Sequence, residues 1–78
     1  MDFEHAVAGV DGVEAVRRVR SLGRGETTRV DVVVTADPRL TLREAHRVAD
    51  RVEAVLAEEF GARDVSVHVE PTAQHETE

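Results

Sequence analysis

The chain has no cysteine, no lysine, no tryptophan and no tyrosine. Each absence removes a class of chemistry. Without cysteine there are no disulfides and no thiolate sites, so a transition metal would have to be held by imidazole and carboxylate. Phe3 and Phe60 are the only aromatic side chains, which leaves no platform for stacking bases or flat cofactors. No apolar run approaches the roughly 20 residues of a membrane-crossing helix, and no signal peptide is visible. The chain is therefore read as soluble, either free-standing or as the soluble part of a longer protein. Its ten basic residues, all arginine, are outnumbered by 16 acidic ones, for a formal net charge of −6. That balance speaks against a nucleic-acid partner and against direct membrane association.

What is present fits one small domain of 78 residues, 33% of them charged. A core of this size is marginal by itself, so a dimer or a metal would help it fold. The apolar pattern divides into five elements. Asp2 to Ala8 reads as a short helix with Asp2 as its cap and Phe3, Ala6 and Val7 on one face. Gly9 to Gly12 is a break. Val13 to Leu22 reads as a strand, but its apolar residues change phase, with Val16 on one face and Val19 on the other. Ser21 to Glu26 holds two glycines and suits a hairpin connection. Thr27 to Ala36 is a clearer strand, with Val30, Val32, Val34 and Ala36 on one face and Arg29, Asp31, Val33 and Thr35 on the other.

After a turn at Asp37-Pro38-Arg39, the segment Thr41-Leu42-Arg43-Glu44 has the capping-box pattern. A helix over Leu42 to Phe60 follows, with Leu42, Ala45, Val48, Ala49, Val52, Val55, Leu56 and Phe60 as its apolar stripe and Gly61 beyond its end. Val65 to Val69 alternates as a third strand that Pro71 ends. Residues 1–71 thus form the domain, and 72–78 carry no pattern and read as a disordered tail. The order predicts an α/β (α+β) fold, αββαβ. The second helix crosses over between strands, which favours a parallel third strand in a mixed three-stranded sheet. Both helices then cover the valine face, and the opposite face is left open to a partner subunit.

His68 and Glu70 share that open face, roughly 7 Å apart at Cα on one rigid strand. An imidazole and a carboxylate so placed can ligate one divalent ion; a solvated or dimer-facing polar strand face is the plainer reading of the same spacing. His46 lies in the second turn of the long helix, where the macrodipole disfavours protonation and so favours the metal-binding form; it also suits an edge-of-core ring. Asp31 can either reach toward His68 or pair with Arg29 or Arg17. His5 and His75 read as surface residues. No nucleophile–base–acid arrangement or phosphate loop is present, so the chain is read as a non-enzyme.

Three stretches together resemble a known family: Asp31-Val32-Val33-Val34; Leu40-Thr41-Leu42-Arg43-Glu44-Ala45-His46 with Arg47-Val48-Ala49-Asp50-Arg51-Val52-Glu53; and Val65-Ser66-Val67-His68-Val69-Glu70-Pro71. They are similar to the cytoplasmic C-terminal domain of cation diffusion facilitators, the zinc-transporter dimerisation domain. Gly12-Val13-Glu14-Ala15-Val16, with Arg20 and Gly23, fits the family's first strand and glycine turn. The resemblance runs from about Gly9 to Pro71. It implies a metallochaperone-like open sandwich and a cytoplasmic homodimer attached to a transporter's transmembrane domain. It further implies regulation by Zn²⁺ or another divalent cation, with His46, His68 and Glu70 at ligand positions and Asp31 near another. The chain also departs from the family pattern. Arg17 and Val33 stand where two-metal members carry histidine, and neither can ligate. Arg17 is instead placed to pair with Glu70, which is the basis of a second reading, a metal-independent dimerisation module.

Overall fold

A computed structural model describes residues 3–23 and 29–73. The elements run α1 (Phe3–Ala8), β1 (Ala15–Leu22), β2 (Arg29–Ala36), α2 (Leu42–Phe60) and β3 (Asp64–Pro71). The strands lie in the order β1-β2-β3. β1 is antiparallel to β2 and β3 is parallel to it. This is the mixed sheet that the element order predicts. Asp2, the second half of the hairpin connection with Thr27 and Thr28 of the expected strand, and the segment 74–78 fall outside the described residues.

The valine face of β2 is the centre of the core. Val30, Val32 and Val34 are at most 1% exposed, and they pack with Val7 of α1 and Val52 and Leu56 of α2. Val65, Val67 and Val69 of β3 stand opposite Val30, Val32 and Val34 and close the same face at its edge. Phe3 and Phe60 meet edge to face, with centroids 4.5 Å apart. The chain's two aromatics thus tie the start of α1 to the end of α2, the geometry that ring quadrupoles favour.

β1 settles its phase change with a bulge. Val16 pairs with Val34 and Val19 with Val32, and the register shifts between Val16 and Arg18. Arg17 is the extra residue. The shift lets both valines pack against the core, although three-residue spacing in a regular strand would put them on opposite faces.

α2 begins with the expected capping box. Thr41 Oγ1 accepts from the Glu44 N–H at 3.1 Å, and the Thr41 N–H donates to Glu44 Oε1 at 2.9 Å. It ends at Gly61, in the left-handed region with φ 68°. Gly12, with φ 99°, lets the loop after α1 press on this helix: a Cβ there would lie 2.7 Å from Val48 Cγ2. The Arg51 guanidinium donates to the Asp11 carbonyl at 3.1 Å and holds the same loop.

Two expectations are corrected. Leu42 does not join the apolar stripe; it is 91% exposed. As the first residue of α2 it precedes the turns that rest on the sheet, and with Pro38, Leu40 and Pro71 it lines a surface groove. Thr72, read as the first residue of a tail, is held in place. Its N–H donates to the Ala36 carbonyl at 2.8 Å and its hydroxyl to Glu14 Oε1 at 2.6 Å. β3 spans Asp64–Pro71 and ends at the proline, as the alternation predicts, with Asp64 and Pro71 opposite Arg29 and Ala36.

Two predictions follow from this packing. Leu56→Ala should lower stability by about 2–5 kcal/mol through lost burial and an unfilled cavity, while Leu42→Ala should change it by less than about 0.5 kcal/mol. Urea melts of the two variants check the contrast. In the turn before α2, Arg39 donates to Asp37 through its side chain at 3.2 Å and its backbone at 2.9 Å. The guanidinium bond first, and the backbone bond second, hold the Asp37 carboxyl below its ordinary range. Its contribution to stability is therefore present above the unfolded-state value of about 3.9 and lost as pH falls through the folded-state value. The carboxyl ¹³C titration of Asp37 should have a depressed midpoint that rises in Arg39→Ala.

Candidate metal centre

The core forces the opposite parity outward. Along β2 the outer residues are Asp31, Val33 and Thr35; along β3 they are Ser66, His68 and Glu70. The parallel register sets Asp31 beside Ser66, Val33 beside His68 and Thr35 beside Glu70. From β1, the bulge brings Arg17 and Arg18 to the same side as Val33, and these three with Glu70 line a shallow depression of about 170 Å³. Basic residues of β1 thus face, across Val33, the imidazole and carboxylate of β3.

Glu70 is the hub of this face. Its Oε1 lies 3.6 Å from Arg17 Nη1 and its Oε2 lies 3.5 Å from His68 Nε2. The Glu70 side chain is 39% exposed, against 69% for His68. Beside Glu70 in the register, Thr35 is 4% exposed, and its Oγ1 has no hydrogen-bond partner among the described residues. It is a buried polar atom with its bonding capacity unused.

The pair of donors on β3 meets the first requirement of a metal site. Two atoms each about 2.0–2.2 Å from one ion can be no more than about 4.4 Å apart, and His68 Nε2 and Glu70 Oε2 satisfy that. Neutral imidazole with carboxylate is a donor set that zinc and neighbouring divalent ions accept.

The other two candidates stand elsewhere in the chain. His46 is on the exposed side of α2, with Nε2 3.7 Å from Asp50 Oδ1 one turn on. The helix carrying it covers the valine face, so His46 belongs to a different layer from His68 and Glu70. Asp31 does not turn toward His68; its Oδ1 accepts from Arg29 Nε at 3.1 Å. Among the described residues, no group of three or more His, Cys, Asp or Glu side chains is placed to hold one metal ion. One chain therefore brings together two of the four candidates.

Sequence reasoning missed Arg18, Thr35 and Asp50. Asp50 had a signal, its i+4 spacing from His46. Arg18 had one too, because Val16 and Val19 cannot share a face without an extra residue between them. Thr35 had none, since its alternation places it with solvent-facing neighbours.

The comparisons with known proteins agree with the fold. The sequence profile of the family described as cation efflux protein, cytoplasmic domain, matches residues 1–72. The uncharacterized transporter YdbO of Bacillus subtilis is 36% identical over 69 residues, 88% of this chain and 24% of the relative. Manganese efflux system protein MneS of the same organism is 29% identical over 72 residues, 92% of this chain and 25% of that one. Cation-efflux pump FieF of Pectobacterium atrosepticum is 34% identical over 65 residues, 83% of this chain and 21% of the pump. The chain thus spans about a quarter of the length of these relatives.

Among solved structures, a MamM C-terminal domain variant in its nickel form superposes with a TM-score of 0.83 at 22% identity, covering 91% of each chain. A variant in its manganese form gives 0.82 at the same identity. These likenesses show the fold. No helix among the described residues is long and apolar enough to cross a membrane. With the profile covering nearly the whole chain and the αββαβ sandwich in place, the chain belongs to the family of cation efflux protein cytoplasmic domains.

Proposed function

We propose that this chain is the metal-responsive, homodimeric cytoplasmic domain of a divalent-cation efflux transporter. The observation that carries the reading is the His68–Glu70 couple, 3.5 Å apart on a sheet face that neither described helix covers. Family membership supports it, as do relatives named for manganese efflux and cation efflux. Nickel, manganese and cadmium forms exist of structurally similar domains.

In this reading His68 and Glu70 bind the ion from a rigid strand. Since one chain gathers two of the four candidates, His46 and Asp31 complete the site only when a second copy faces the first, with water filling any remaining position. A bound divalent cation supplies positive charge between two acidic chains. The residues of the chain orient it, and closure of the two copies around it is the signal passed to the membrane part. Residues 1–71 act as the domain, at the cytoplasmic side of the membrane. Zn²⁺ is the first ion to test, because histidine and carboxylate ligands suit it.

The sedimentation coefficient at tens of micromolar should correspond to a dimer when ZnCl₂ is present, and a monomer under all conditions would contradict the reading. ZnCl₂ titration by calorimetry should give binding that His68→Ala abolishes. Affinity should also fall as pH is lowered from about 7.5 to 5.5, because protons compete for the imidazoles.

The second reading, a metal-independent dimerisation module, has one observation in its favour: Arg17 Nη1 lies 3.6 Å from Glu70 Oε1. The two side chains are 62% and 39% exposed, so solvent screens the pair. Their coupling in a double-mutant cycle on the metal-free protein should be below about 1 kcal/mol. Coupling of several times that, with no Zn²⁺ binding to the wild type, would favour the second reading.

A further inference from the structure

The bulge in β1 has a consequence for the site. Val16 and Val19 both reach the core only because Arg17 is extra, and that extra residue comes out on the face that carries Glu70. Bulges re-aim side chains in this way. The Arg17 guanidinium then sits 3.6 Å from one Glu70 oxygen while His68 sits 3.5 Å from the other. The second acidic candidate is occupied in the same manner, with Arg29 Nε 3.1 Å from Asp31 Oδ1. Both carboxylates of the candidate set already have a cation beside them, and in each case the chain supplies it.

We propose that Arg17 is an affinity-determining residue, because its guanidinium and an incoming divalent cation compete for the Glu70 carboxylate. The proposal rests on the metal-binding reading above. A carboxylate that ligates a metal gives up part of its charge to it, and a guanidinium held within a few ångströms of a dication is repelled. Arg17 must therefore swing aside as the ion binds. Its side chain is 62% exposed, so it has solvent to swing into, and the competition weakens binding rather than blocking it. In the metal-free state the same guanidinium lies beside Glu70 in a solvent-screened pair. The site is thus set to respond at a higher free metal concentration than the same donors would without Arg17.

Isothermal titration of the full chain with ZnCl₂ tests this, in wild type, Arg17→Gln, Arg18→Gln and His68→Ala. Glutamine removes the charge and leaves Val16 and Val19, which anchor the bulge, untouched. Arg17→Gln should tighten Zn²⁺ binding about three- to fivefold, the scale of a partly exposed ion pair. Arg18 lines the same depression, and Arg18→Gln should change affinity by less than half as much. In the wild type the Arg17 Nε–Hε resonance should also move as ZnCl₂ is added, and it should stay in place in Glu70→Gln.

Equal tightening by Arg17→Gln and Arg18→Gln would overturn the proposal, since general charge would then account for it. Unchanged affinity in Arg17→Gln, with binding still lost in His68→Ala, would also overturn it and leave the metal reading standing. Absence of Zn²⁺ binding in wild type and Arg17→Gln alike would remove the metal reading and the competition with it. Binding detected in Arg17→Gln alone would establish the competition in its strongest form.

Discussion

Burial of the β2 valine face is the constraint from which the rest of the structure follows. Val30, Val32 and Val34 lie under Val52 and Leu56 of α2 and Val7 of α1, and all six are essentially removed from water. In so short a chain this occupies both helices. Neither described helix is left to cover the other side of the sheet, and strand alternation sends Asp31, Val33, His68 and Glu70 there. The open face is thus what a two-layer fold leaves over once its core is covered. It combines the partly covered Val33 with charged groups.

The same constraint explains the irregularity in β1. Its apolar residues are in phase with β2 only if one residue is taken out of register, and with that shift both Val16 and Val19 pack, partly buried, against the core. The residue taken out is an arginine, so a packing requirement on one face becomes an electrostatic feature on the other. Gly12 shows a related economy of space. Its loop lies so close to Val48 that a side chain would collide, and its φ of 99° is one that few other residues adopt.

The arginine–carboxylate pairs are at least partly exposed: Arg29 with Asp31 and Arg39 with Asp37, each two residues apart, and Arg17 with Glu70, which joins β1 to β3. Pairs of this kind add little to stability in water. Their importance lies in where they sit. Two of the three involve a carboxylate of the proposed metal site, on the open face of the sheet. The uneven charge of that face, basic along β1 and acidic with histidine along β3, also means that its two sides are not equivalent to an approaching cation or partner.

The sequence by itself determined the elements and the core. Helical spacing with a capping box and a closing glycine placed α2 at Leu42–Phe60, and strict alternation placed the buried side of β2 and the shared face of His68 and Glu70. These were legible because they rest on interactions between near neighbours, where periodicity maps directly onto geometry. Position along the helix axis was not legible from periodicity, so Leu42 matched the stripe in phase yet overhangs the sheet. The anchoring of Thr72 on Ala36 and Glu14 was hidden for a similar reason, since the partners are distant in sequence. Only the tertiary structure decided which candidate ligands meet. Once α2 is laid on the valine face, His46 belongs to the helical layer, Asp31 is held by Arg29, and Glu70 is shared between His68 and Arg17. Those outcomes depend on the strand register, the bulge and the side of the sheet that the helices cover, and these come into being when the layers pack.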